Sequence, residues 1–395
     1  MQEQTYVIVG GGMTAAAAIK GIRAVDEQGT IGLIGAETDA PYNRPPLSKG
    51  LWKGKPIDKI WRKIDLPGVT TTLGRTVTMI DPKAKTVTDD RGEPTHYEKL
   101  LLATGGSPRR LPFGDEHILY FRTFKDYQKL RALSDEGQRF AVIGGGFIGS
   151  EIAAVLRTAG NAVTMIFPEE GIGAAAYPAD LSQFVTGYYR QKGIEVLNNE
   201  MVTAVEPKGK RLIVRTKAGK EIEADSVVAG IGIVPNVGLA EKAGLKVDNG
   251  IVVNEHLQTS DAAIYAAGDV AAFTNPALGK LMRVEHEDNA NTMGEMAGRA
   301  MAGQPAPYHH LPYFYSDLFD LGYEAVGELN PKLTVFSDWQ EAYQKGVVYY
   351  LDQGRVRGAL MWNVWDQIEA ARALIEEKGP FDAAKLKGRL PVTTE

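Results

Sequence analysis

Two short segments of nearly the same text constrain the fold of this chain more than any other feature: Val7-Ile8-Val9-Gly10-Gly11-Gly12 and Ala141-Val142-Ile143-Gly144-Gly145-Gly146. Each ends a β-branched run and opens into an alanine-containing helical stretch, the strand, tight turn and helix that hold a pyrophosphate. Glycine lets backbone N–H groups come close to phosphate oxygens, and the positive end of the following helix favours their charge. The second copy is complete as Gly144-x-Gly146-x-x-Gly149, and the first carries Ala15 in the third place. Two copies in matching contexts predict two dinucleotide-binding α/β units.

What such a pair can do is narrowed by the absence of cysteine from all 395 residues. Electron transfer through a cysteine pair or through a single reactive thiol is excluded, as is iron–sulfur ligation. The 6 histidines are scattered without zinc-type spacing, so no metal site is expected. A formal charge of −5 gives no basic field for a nucleic-acid partner. No apolar run reaches the length of a membrane span. The first strand starts within a few residues of Met1, leaving no room for a targeting segment, so a cytoplasmic location is expected unless a presequence was removed.

The length calls for two or three domains, and an internal pseudo-repeat suggests how they are arranged. At similar distances after the two glycine turns come Leu101-Leu102-Ala103-Thr104-Gly105-Gly106 and Val227-Val228-Ala229-Gly230-Ile231-Gly232, each an apolar strand ending in small residues. A further strand-like run, Ala263 to Val270, has no counterpart need in the second unit. The first domain is therefore read as discontinuous, with crossings near Pro108–Gly114 and Ala243–Gly250. After about residue 310 the texture changes to alternating, aromatic-rich strands at Leu333–Phe336, Gly346–Leu351 and Val356–Trp362, followed by a helical segment, Asp366–Glu377. The expected fold class is α/β: two Rossmann-like domains, 1–112 with 246–310 and 113–245, and a C-terminal α+β interface domain over 311–395.

An acid at the end of the strand after a dinucleotide turn binds the adenosine ribose. Glu37 fits that place in the first unit and Glu169 in the second, and an acid at 169 with no arginine in the following loop favours NADH over NADPH. In Pro41-Tyr42-Asn43-Arg44-Pro45-Pro46-Leu47-Ser48-Lys49, two prolines fix an extended path just before a potential helix. Together with Gly144-Gly-Gly-Phe-Ile-Gly-Ser-Glu151, Phe167-Pro-Glu-Glu-Gly171, Val284-Glu-His286, Tyr315-Ser-Asp-Leu318 and Leu360-Met-Trp-Asn-Val364, this text resembles the FAD-dependent pyridine-nucleotide oxidoreductases of the apoptosis-inducing factor and ferredoxin reductase group. The resemblance covers nearly the whole chain, and its closest motifs are those of apoptosis-inducing factor.

The resemblance implies a glutathione-reductase-like flavoprotein, with FAD in the first unit and NADH in the second. FAD would contact Gly10, Gly12, Ala15, Glu37, Arg44, Lys49, Val77, Ala103, Thr104, Gly105, Arg122, Asp269, Glu285, His286 and Tyr315. NADH would contact Gly144, Gly146, Phe147, Ile148, Glu169, Gly232 and Glu285. Lys49 and Glu151 would meet as an ion pair beside the flavin N5. Phe147, an i, i+4 neighbour of Glu151 on one helical face, would point toward flavin and nicotinamide. Together with His286 these are the implied catalytic residues. Glu285 and His286 would open a helix whose positive end faces the flavin pyrimidine edge. Tyr315 stands where mammalian relatives carry tryptophan.

Two departures from the mammalian apoptosis-inducing factors concern the redox-linked rearrangement of that family: the chain between Lys49 and Val77 is too short for their extra hairpin, and between Asn330 and Lys345 their long acidic insertion is missing. Lys49, Lys53, Lys55, Lys59, Arg62 and Lys63 form a basic stretch interleaved with Trp52 and Trp61. It reads either as a solvated surface or as a docking site for an acidic electron acceptor. The activity so implied is hydride transfer from NADH to FAD and onward to an unidentified acceptor, with a long-lived charge-transfer complex as one form. An NADH–ferredoxin reductase component and a slow, redox-sensing NADH-binding protein are the alternatives, and a homodimer is admitted as an assembly.

Overall fold

In the computed structural model, which describes residues 2–391, the first β-branched run is the strand Gln2–Val9. It pairs in parallel with Ile31–Gly35 on one side and Pro94–Leu102 on the other. Val69–Leu73 extends the sheet beyond Ile31–Gly35. The far edge of Pro94–Leu102 is shared: its end takes Ile264–Ala266 in parallel, and its start takes the antiparallel strand Thr86–Asp89, followed by Val77–Asp81. Val7, Ile8, Leu33, Leu100, Leu101 and Ile264 are fully buried, as parallel strands covered on both faces require. The helix after the first glycine turn, Met13–Arg23, packs on Glu287–Met301. Their small residues bring the backbones close, because a Cβ at Gly298 would lie 2.2 Å from the Ala18 carbonyl oxygen.

The second glycine turn follows Arg139–Ile143, the centre of an all-parallel sheet ordered Glu195–Leu197, Ala162–Ile166, Arg139–Ile143, Ser226–Ala229 and Ile118–Tyr120. A three-stranded antiparallel meander, Val202–Lys208, Arg211–Thr216 and Glu221–Ala224, turns Val205, Val214 and Ala224 into the core. The C-terminal part is a five-stranded antiparallel sheet ordered Tyr313–Leu318, Leu321–Gly327, Arg355–Trp362, Lys345–Asp352 and Thr334–Glu341, with the helix Ile368–Glu376 packed on it.

Two compact units result. One comprises 1–44, 56–107 and 234–312; the other comprises 45–55, 108–233 and 313–395, positions 1 and 392–395 lying outside the described residues. The return crossing falls at Ile233/Val234, where the sequence placed it near Ala243–Gly250, because Ala240 and Leu245 pack into the first unit's core. The expected strand Ala263–Val270 is shorter: Gly268, at φ +78, ends it after Ile264–Ala266, and Gly268–Val270 forms one 3-10 turn. Two C-terminal strands, Tyr313–Leu318 and Leu321–Gly327, were not anticipated. Among the described residues, no helix is long and apolar enough to cross a membrane.

Candidate dinucleotide and hydride-transfer sites

The pseudo-repeat holds at the level of individual atoms. In the first unit, Gly10 N donates to Ile34 O at 2.8 Å and Ala103 N to Val9 O at 2.8 Å; in the second, Gly144 N donates to Ile166 O at 3.0 Å and Gly230 N to Ile143 O at 2.9 Å. Gly10 and Gly144 have φ of +120 and +116, and a Cβ on either would collide with the returning strand, 2.1 Å from Ala103 O or 2.4 Å from Gly230 O. Gly149 is needed for the same reason, its Cβ falling 2.2 Å from Gly144 O. In the first copy, buried Ala15 occupies that place. Gly12 and Gly146 are different: each is an N-cap with no side-chain cap, no acid follows in the first helical turn, and nothing lies within 4 Å of a Cβ there. Uncapped helical N–H groups facing open space fit a dinucleotide pyrophosphate at both turns.

Further groups collect around the first cradle. Beyond the strand Ile31–Gly35, Glu37 pairs with Arg44 and accepts from the Tyr42 hydroxyl at 2.6 Å, while Arg44 also donates to that hydroxyl at 3.0 Å. Burial works against the Arg44 charge, but Tyr42 and Glu37 outweigh it and hold the guanidinium above its ordinary pKa. The Ala103–Gly105 turn is clamped by Asn236: its side-chain amide donates to Thr104 O at 2.8 Å, its backbone N–H to Gly105 O at 2.9 Å, and the Thr104 hydroxyl to Asn236 O at 2.9 Å. Asp269 lies on the Gly268–Val270 turn, where its carbonyl accepts from Arg283 at 3.0 Å; Arg283 also pairs with Glu285 at 2.7 Å. His286 is the N-cap of Glu287–Met301, whose first-turn acids have their own partners: Glu287 with Arg62 at 3.7 Å and Asp288 with His310 at 2.5 Å. Val77 is a core residue, 4% exposed.

The other unit holds the pair singled out in the sequence. On the helix Phe147–Thr158, Glu151 is 2% exposed, and its Oε1 lies 2.7 Å from Lys49 Nζ. The Lys49 ammonium stands 5.2 Å from the centre of the Tyr315 ring, within cation–π range. Phe147 packs on Phe314 with ring centres 5.4 Å apart. Two groups missed in the sequence complete the cluster: the hydroxyls of Ser48 and Ser316 each donate to Glu151 at 2.6 Å. No sequence signal marks them, since a serine carries no periodicity and the bonds join residues far apart in the chain.

The remaining residues take their places in the same unit. Ile148 is 41% exposed beside the cradle, Glu169 is exposed just past Ala162–Ile166, and Gly232 takes φ +89 and accepts from Arg109 N at 2.9 Å. Arg122 precedes the helix Phe124–Asp135, its N–H on Asp126 at 3.1 Å. The basic stretch divides. Lys49 is partly buried against Glu151, Arg62 donates to Asn43 at 2.8 Å, and Lys53, which pairs with Asp317 at 2.7 Å, is exposed together with Lys55, Lys59 and Lys63. Both tryptophans are committed to packing, Trp52 on Tyr127 at 5.9 Å and Trp61 on Tyr42 at 5.8 Å.

Two cradles of one construction, with a lysine held against a buried carboxylate on the helix that leaves the second, define an oxidoreductase working with two dinucleotides. The chain belongs to the pyridine nucleotide-disulphide oxidoreductase family, matched over residues 4–294, and residues 330–377 match the family described as apoptosis-inducing factor, mitochondrion-associated, C-term. It is 36% identical to apoptosis-inducing factor 1, mitochondrial, of Dictyostelium discoideum over 95% of this chain and 79% of that protein. It is also 36% identical to the anthranilate 1,2-dioxygenase system ferredoxin–NAD(+) reductase component of Burkholderia cepacia, over 95% of each. Among solved structures it resembles that of the covalent putidaredoxin reductase–putidaredoxin complex, with a TM-score of 0.90, 30% identity and coverage of 97% of this chain and 95% of that one. The chain is an NADH-dependent FAD oxidoreductase that hands electrons to a further acceptor.

Proposed function

We propose that this chain passes electrons from NADH through FAD to a small one-electron carrier protein of the ferredoxin type. The observation that carries the reading is the pair of dinucleotide cradles in a chain without cysteine. Electrons reaching the flavin have no thiol to enter and leave for an external acceptor. When bound, FAD would supply the chemistry that takes a hydride from NADH and releases its electron pair as single electrons.

The chain's own residues bind and orient. Residues 1–44, 56–107 and 234–312 would carry FAD, 108–233 NADH, and 313–395 the interface domain. Gly10, Gly12 and Ala15 seat the FAD pyrophosphate, Glu37 and Arg44 its adenosine ribose, and Asp269 its ribityl chain; Val77, Ala103, Thr104, Gly105, Arg122, Glu285, His286 and Tyr315 line it. Gly144, Gly146, Phe147, Ile148, Glu169, Gly232 and Glu285 receive NADH, Glu169 repelling the extra phosphate of NADPH. Lys49, fixed by Glu151, would place a positive charge at the reacting edge, and Phe147 and His286 are the further residues assigned to catalysis. The reductase components among the relatives support the ferredoxin-type acceptor. So does the direct hairpin from Thr334–Glu341 to Lys345–Asp352, which leaves no room for the insertion used in the group's rearrangement.

The test is stopped-flow reoxidation of the NADH-reduced protein by [2Fe–2S] ferredoxins, quinones, cytochromes and oxygen. Fast reoxidation by a ferredoxin, slowed by salt, is expected. Slow reoxidation by every acceptor, with a persistent charge-transfer band, would overturn the reading. It would favour the redox-sensing alternative.

A further inference from the structure

Glu151 is held by more than its ion pair. Oε1 accepts from both Lys49 Nζ at 2.7 Å and Ser316 Oγ at 2.6 Å, and Oε2 accepts from Ser48 Oγ at 2.6 Å. Ser48 closes the one-turn helix Pro45–Ser48, Lys49 follows it, and Ser316 lies on the C-terminal strand Tyr313–Leu318. Ser48 is 4% exposed and Ser316 1%. Serine and threonine hydroxyls on a helix ordinarily bond back to the preceding turn, as Ser150 does to Gly146 O at 2.8 Å and Thr158 to Ala154 O at 2.8 Å on the helix that carries Glu151. The hydroxyls of Ser48 and Ser316 are instead given to one buried carboxylate, at the short distance of a charge-assisted bond.

The surroundings make those bonds matter. Tyr177, Tyr189 and Tyr323 are buried around the carboxylate, their hydroxyls pushed far above the ordinary range by burial, with the charge of Glu151 contributing. Little water is at hand to replace a lost donor. A lysine ammonium on four flexible carbons is a poorly directed charge; paired with a carboxylate free to rotate, it has many seats. Donors on both oxygens leave the carboxylate one orientation and the ammonium one seat, between Glu151 and the Tyr315 ring.

We propose that Ser48 and Ser316 are positioning residues for hydride transfer, acting through Glu151 to fix the Lys49 ammonium. This rests on the assignment of Lys49 and Glu151 to the reacting edge. Ser316 also gives the C-terminal sheet a direct part in that function.

The test uses the FAD-loaded protein carrying Ser48→Ala, Ser316→Ala, Ser316→Thr, Lys49→Ala, and Lys49→Ala combined with Ser316→Ala. The readouts are the flavin midpoint potential by equilibrium spectroscopic titration and the rate of flavin reduction by NADH, with flavin content and melting temperature alongside. Each serine-to-alanine exchange is expected to slow reduction about tenfold, the effect of losing one hydrogen bond to a charged group. It should leave the KM for NADH unchanged and move the potential to more negative values, because the ammonium is no longer held where it stabilises the reduced flavin. Ser316→Thr, which keeps the hydroxyl, restores both, and Ser316→Ala adds nothing further once Lys49 is gone. If one alanine variant fails to retain flavin, the other decides. Parental potential and rate in the alanine variants, with Lys49→Ala still slow, would overturn the positioning role and leave the proposed function standing. A Lys49→Ala protein that matches the parent in both would overturn the two together.

Discussion

Two lysines of one short segment, Lys49 and Lys53, make ion pairs of the same 2.7 Å length but in opposite surroundings, and replacing each by alanine should give sharply different results. The side chains of Lys49 and Glu151 are 12% and 3% exposed, those of Lys53 and Asp317 60% and 34%. Removing one partner of a buried pair strands the other charge and costs about 3–5 kcal/mol. Because Ser48 and Ser316 still donate to Glu151, Lys49→Ala should fall at the lower end, about 3 kcal/mol. At roughly 2 °C per kcal/mol for a folding unit of a couple of hundred residues, the melting temperature drops by about 6 °C. Lys53→Ala removes an exposed pair worth about 0–1 kcal/mol and should shift melting by less than about 2 °C. Near-ultraviolet circular dichroism of the flavin-loaded proteins at one fixed scan rate measures both, and a Lys49→Met, Glu151→Gln double variant should recover part of the loss, as neutral replacements of buried pairs do. Equal shifts for the two single variants, or a Lys49→Ala shift within about 2 °C of the parent, would refute the view that the first pair is a buried, mutually dependent unit.

Three further outcomes are expected. Gly144→Ala should impair folding of the NADH unit, since its Cβ would fall 2.4 Å from Gly230 O, whereas Gly146→Ala, with nothing within 4 Å, should fold normally and raise the KM for NADH about tenfold by filling the space in front of the helix; steady-state kinetics and melting curves separate the two. Burial, with the nearby charge of Asp366, holds the Glu324 carboxyl above its ordinary pKa, and its Oε2 is buried without a partner. The native state therefore binds that proton more readily than the unfolded one, so stability is lost as pH rises through the native value; Glu324→Gln should raise the melting temperature at neutral pH and lose this advantage below about pH 4. Glu169→Ser should narrow the preference for NADH over NADPH, read as the ratio of kcat/KM for the two nucleotides.

Much of this architecture was legible because it is local. A β-branched strand, a glycine turn and a small-residue helix announce themselves in a dozen residues, and the required close approach to Ala103 and Gly230 was foreshadowed by the small residues at both places. Motif resemblance carried Lys49 and Glu151 together across the chain, and the structure pairs them. Ser48, Ser316 and Asn236 were not legible, because their importance lies in contacts between distant segments that no spacing encodes. Charge pattern also overstated the basic stretch: Arg62 looks like a surface cation in the sequence, but its side chain is 18% exposed and bonded to Asn43. The strand Ala263–Val270 ran too far because apolar texture outweighed a single glycine, although that glycine, at φ +78, is what turns Asp269 out of the sheet.

The central claim is that two dinucleotides and no thiol handle the electrons. Anaerobic titration of the purified flavoprotein with NADH, followed by flavin absorbance, tests it most directly. One FAD per chain, bleached completely by a single equivalent of NADH, is expected. Consumption of a second equivalent, or a flavin that NADH leaves oxidised, would contradict it.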